Sequence, residues 1–115
     1  MTIQECYKKM GADYQEALGR LYNEAMICKF VRMFLQDDSF HILEEALRRG
    51  DVKEAFRGAH TLKGVCQNLG FDALYAPASA LTEALRGGTL DGADSLFPPV
   101  EKEYQRVVAA LKELE

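Results

Sequence analysis

Four residues in one short stretch carry the chemical interest of this chain: His60, Lys63, Gly64 and Gln67, within DVKEAFRGAHTLKGVCQNL, residues 51–69. An imidazole ordinarily titrates near pH 6.5, so near neutrality it offers a ring nitrogen that is uncharged and nucleophilic. An ammonium group three residues away neutralises negative charge placed on that nitrogen. A glycine four residues away leaves the surface beside the ring bare. Gln67, seven residues on, returns to nearly the same line of a helix and offers an amide hydrogen bond. Together these types and spacings suit an imidazole that a large partner reaches and that then carries an anionic group.

The stretch that positions them reads as one amphipathic helix. Asp51 with Glu54 three residues later predicts a capping box, in which each side chain satisfies a backbone donor of the first turn. Gly70 predicts the stop, because glycine enters the left-handed conformation at little cost. Val52, Ala55, Phe56, Ala59, Leu62, Cys66 and Leu69 recur at helical spacing and form one apolar stripe. At roughly 100° per residue, His60 projects about 130° from the centre of that stripe. Lys53 and Arg57 flank its side and add to a local cationic patch. A lone helical histidine is otherwise an ordinary polar surface residue, and Lys63 an ordinary solvated lysine. Gly64 is less ordinary, since glycine inside a helix costs about 1 kcal/mol relative to alanine. Gly58 bears the same cost near the edge of the stripe, where close packing of another helix accounts for it.

The run Ala59-His60-Thr61-Leu62-Lys63-Gly64, followed by Leu69-Gly70 and Leu74, resembles the histidine-containing phosphotransfer (HPt) domain of two-component phosphorelays. The family pattern is a His-x-Leu-Lys-Gly core with a downstream Leu-Gly and a further leucine. The resemblance implies a four-helix bundle with the histidine on its second helix. It implies that His60 accepts a phosphoryl group from a receiver-domain phosphoaspartate and passes it to another receiver. Lys63 then neutralises the phosphate and Gly64 leaves steric access. A hydrogen bond from Gln67 is a geometric inference beside it. The receiver brings its own magnesium ion, so no cofactor or metal is expected on this chain. Response-regulator receivers, and a hybrid sensor histidine kinase, are the expected partners of a monomer. With no glycine-rich nucleotide loop, the chain is expected to be a relay intermediate and not an enzyme with its own kinase site.

Composition narrows the remaining classes. One domain over residues 1–115 is long enough for a single core, and 48% hydrophobic residues is ordinary for a globular protein. No apolar run approaches the ~20 residues that span a bilayer, and MTIQECYKK lacks a signal-peptide core, so a cytoplasmic protein is expected. The Met1 start and a full set of helices lead us to expect a free-standing protein. A net charge of −4 disfavours nucleic acid and makes the patch at His60 a local contrast. Cys6, Cys28 and Cys66 are odd in number and without paired spacing, and read as reduced structural residues.

Along the rest of the chain, Thr2 with Glu5 and Asp13 with Glu16 open two short helices, the first ended by Gly11 and the second blurred by Gly19. Longer helices are expected near 23–36, 39–49, 51–69 and 72–86, with a fifth at 98–114. Asp38 or Ser39 is expected to cap the 39–49 helix. Pro77 either kinks its helix or begins it, and Pro98 or Pro99 suits the first turn of the last helix after a loop-rich stretch. His41, beside Phe40 and Ile42, with no lysine three residues on and no glycine notch, reads as a surface or partly packed histidine. No strand-like alternation is present. The short links predict an all-α, antiparallel up-down four-helix bundle with short extra N-terminal helices and a C-terminal helix. The rival function is a non-catalytic helical adaptor that docks signalling partners without using the histidine. A metal or haem bundle would need two inward-facing ligands, and His41 and His60 are not aimed that way.

Overall fold

Helix boundaries follow the capping residues. The computed structural model describes residues 1–114, and among them are seven helices. They are α1 (Ile3–Met10), α2 (Tyr14–Leu21), α3 (Glu24–Gln36), α4 (Ser39–Arg49), α5 (Val52–Leu69), α6 (Asp72–Arg86) and α7 (Ala93–Lys112). Thr2 and Glu5 form a complete capping box on α1. Asp13 Oδ1 accepts from Glu16 N at 3.0 Å, and Asn23 Oδ1 accepts from Met26 N at 2.9 Å. Gly19 does not end α2, because it is exposed while Leu21, two residues on, is buried against the core.

The two-residue links at Gly50-Asp51 and Gly70-Phe71 fold α4, α5 and α6 back on one another. α5 packs most extensively against α6 and α4, and α6 packs next against α7. Phe40 of α4 stacks on Tyr104 of α7, with ring centroids 4.0 Å apart and planes 4° from parallel. These four helices, α4 to α7, make the all-α bundle that was expected, but the C-terminal helix, expected beside it, belongs to it and the 23–36 helix, α3, does not. The C-terminal helix is its fourth member, and α5, which carries His60, is its second. α1 packs against α7, α2 against α3 and α5, and α3 lies against α5 and α7 as well.

Several local expectations are corrected. α7 begins at Ala93, not at Pro98 or Pro99, which lie inside it. Gly92 adopts a left-handed turn with φ 81°, and Ala93 and Val100 are buried, so packing carries the helix across the proline pair. Both prolines face solvent, and the carbonyls they leave free, at Asp94 and Ser95, belong to exposed residues that water satisfies. Of the two readings left open for Pro77, the structure takes the first: it sits inside α6, which starts at Asp72 as expected, and does not begin the helix. The α4 cap is neither Asp38 nor Ser39 by side chain: Asp37 Oδ1 accepts from Ser39 N at 2.7 Å. On α5 only half of the capping box forms. Asp51 Oδ1 accepts from Glu54 N at 3.1 Å, but Glu54 turns to Arg57, and Asp51 N donates to Ala46 O at 2.8 Å.

Gly58 marks the closest approach of α4 to α5. A Cβ there would lie 2.9 Å from Leu43 N and 3.0 Å from Ser39 O, both backbone atoms of α4. The other end of α5 is tied from beneath. Tyr7 of α1 is buried and its hydroxyl donates to Leu69 O, in the last turn of α5, at 2.7 Å. Tyr7→Phe removes that donor and leaves a buried carbonyl unpaired, so stability should fall by about 1–2 kcal/mol in urea unfolding. An unchanged midpoint would mean that water replaces the bond. Cys6 and Cys66 are buried and Cys28 half-buried, all unpaired. Burial pushes the Cys6 and Cys66 thiols up, which keeps them protonated and unreactive. No helix among the described residues is long and apolar enough to cross a membrane.

Candidate functional site

α5 is a continuous helix with two unlike sides. Ala55, Gly58, Ala59, Leu62, Cys66 and Leu69 are buried, and Val52 and Phe56 sit half-buried at the margin. His60, Thr61 and Gln67 are exposed on the other side, with Lys63 and Gly64 partly so. His60 therefore faces outward, as its angular position predicts. His41 also lies at the surface, edge-on to Phe40 and Tyr104.

Gly64 and Gly58 look alike in sequence and differ in space. A Cβ built at Gly64 meets no neighbouring atom within 4 Å. Packing inside this chain therefore gives no reason for glycine there, while helix propensity favours alanine. Gly64→Ala should raise unfolding stability by about 0.5–1 kcal/mol. Gly64→Gln should fold as well as the parent, yet slow any reaction that needs a partner against this surface. An unaltered transfer rate in the glutamine variant would remove Gly64 from the docking face.

Around His60 the structure assembles side chains from two helices. The Phe56 ring lies one turn before it, with centroids 5.6 Å apart and a 40° tilt. Arg86 of α6 places its guanidinium carbon 5.0 Å from the Phe56 ring centroid, a cation–π contact. The Glu83 carboxylate accepts from Arg86 Nε at 3.2 Å and from Nη2 at 3.1 Å. Glu83 Oε2 also stands 3.8 Å from Lys63 Nζ. The Arg86 hydrogen bond first, then the nearby Arg86, Lys63 and His60 charges, hold the Glu83 carboxyl below its usual range. The Lys63 side chain is only 24% exposed, its stem lying along the protein while its ammonium reaches the surface.

Two of the three cations of the patch expected at this place are paired. Lys63 meets Glu83, and Arg57 donates to Glu54 at 2.7 Å. Phe56, assigned to the core stripe, turns out to be shared with the site. Glu83 and Arg86 were not singled out at all. One signal could have found them: counting outward equally from the Gly70-Phe71 link sets residues 81–86 of α6 opposite 55–60 of α5.

The family model described as Hpt domain matches residues 29–113, which take in all four bundle helices and the His60 site. The chain belongs to the Hpt domain family. Hpt domains serve histidine phosphotransfer in two-component phosphorelays, where they are intermediates without a kinase site of their own and interact with receiver domains of response regulators or hybrid kinases. Comparison with curated proteins and with solved structures gave no match.

Proposed function

We propose that His60 is the phosphoacceptor, taking a phosphoryl group from the phosphoaspartate of one receiver domain and handing it to another. A ring-nitrogen lone pair forms the N–P bond as the P–O bond to the aspartyl carboxylate breaks. The electron pair leaves with the carboxylate, and the proton of the opposite ring nitrogen is free to pass to solvent. Return to a second receiver reverses these changes. Lys63 neutralises the phosphoryl oxygens, Gly64 leaves room for the receiver's loops, and Gln67 supplies a hydrogen bond at the edge of the same face. Magnesium and the acidic pocket belong to the receiver. The chain acts as a monomeric carrier.

One observation carries this reading over the adaptor alternative. The imidazole is open to solvent with an ammonium one turn away, on a helix whose far side is core. An adaptor needs neither the exposed nucleophile nor the adjacent cation. The test is incubation with phosphorylated receivers from the same cell, scoring acid-labile label on His60. Absence of label with every receiver would leave the adaptor reading in its place.

A further inference from the structure

The carboxylate of Glu83 stands 3.8 Å from Lys63, the residue proposed to neutralise the phosphoryl group. It is shared unequally. Arg86 holds it with hydrogen bonds from two nitrogens, at 3.2 and 3.1 Å, and Arg86 is itself held against the Phe56 ring. Lys63 touches it once, at 3.8 Å. Loss of the Lys63 contact therefore leaves Glu83 still paired, and the ammonium free to swing along α5 toward a neighbouring anion. The Arg86 hydrogen bond first, and then the charges of Arg86, Lys63 and His60, favour the ionised form of this carboxyl.

We propose that Glu83 is a charge gate for His60: it parks Lys63 while the imidazole is bare, yields Lys63 to the phosphoryl group when the imidazole is loaded, and as a fixed anion keeps the phosphohistidine ready to give that group away. This rests on His60 being the phosphoacceptor. A phosphoryl group brings close to two negative charges, and a fixed carboxylate nearby opposes them. Arg86 keeps Glu83 in place during the exchange, and Lys63 offsets part of the repulsion. Glu83 is thus a positioning residue, acting through Lys63 and through its field. The N–P bond forms and breaks at His60 alone.

The test loads the full chain chemically with phosphoramidate, which exchanges its P–N bond to ammonia for one to imidazole and needs no cognate receiver. At fixed ammonium concentration, ³¹P NMR reads the ratio of phosphohistidine to phosphoramidate at equilibrium. Glu83→Gln should raise that ratio about threefold to tenfold at low salt, and less than about twofold at 1 M salt, where a Debye length of about 3 Å screens the carboxylate. Glu83→Asp keeps the charge and should restore the parent ratio. Lys63→Ala should lower the ratio, and in that background Glu83→Gln should have a smaller effect, because the parking contribution is gone. A loaded parent with an unchanged ratio in Glu83→Gln overturns the gate alone. An equal effect with and without Lys63 overturns the exchange. A parent that takes no phosphoryl group on His60 overturns the gate and the phosphoacceptor assignment together.

Discussion

His60→Gln should abolish acid-labile labelling from phosphorylated receivers while leaving the thermal unfolding curve where it was. Glutamine matches imidazole in polarity and is a better helix former, but its amide nitrogen has no lone pair to offer phosphorus. The site is exposed on α5, and surface substitutions away from caps and cores usually stay within about 0.5 kcal/mol. Loss of label therefore reads as loss of the nucleophile and not of the fold. The chain has two histidines, so label surviving in the variant would move the acceptor to His41 or off imidazole altogether. Circular dichroism melting and autoradiography on the same preparation separate the two outcomes.

The largest stability effect is expected at the far end of the same helix. Gly70 closes α5 at φ 69°, and a Cβ there would fall 2.4 Å from Asp13 O. Asp13 N also donates to Gly70 O at 2.7 Å, so the end of α5 and the start of α2 are locked backbone to backbone. Gly70→Ala adds left-handed strain of about 1 kcal/mol to an overpacking cost of about 1–3 kcal/mol, together about 3 kcal/mol. Gly50→Ala is the control. Its φ is 75°, but a Cβ meets nothing within 4 Å, so about 1 kcal/mol is expected from strain alone. Equal losses for the two variants in urea unfolding would show that α2 simply moves aside, and that the close approach costs nothing.

Those two glycines show what local pattern conveys. Both were legible as helix stops, because a left-handed terminus needs only the residue itself. Their difference was not, because Asp13 reaches Gly70 only after α2 has packed on α5. Gly58 and Gly64 differ for the same kind of reason. Each interrupts one helix at the same intrinsic cost, but α4 presses on one and nothing meets the other. The start of α7 differs from expectation because a proline pair carries a strong local signal for the first turn of a helix. Burial of Ala93 and Val100 outweighed it once solvent could satisfy the freed carbonyls.

The sequence alone determined that the chain is helical, that its 51–69 segment is a helix with a buried stripe, and that His60 lies off that stripe with Lys63 and Gly64 beside it. All of this depends on spacing within about seven residues, where helix geometry converts sequence directly into faces. Tertiary structure decided that α7 completes the bundle, that Glu83 of α6 pairs with Lys63, and that Arg86 of α6 lies over the Phe56 ring. Those contacts join residues about twenty to sixty positions apart. They depend on which faces bury best against each other, a choice that no single segment contains.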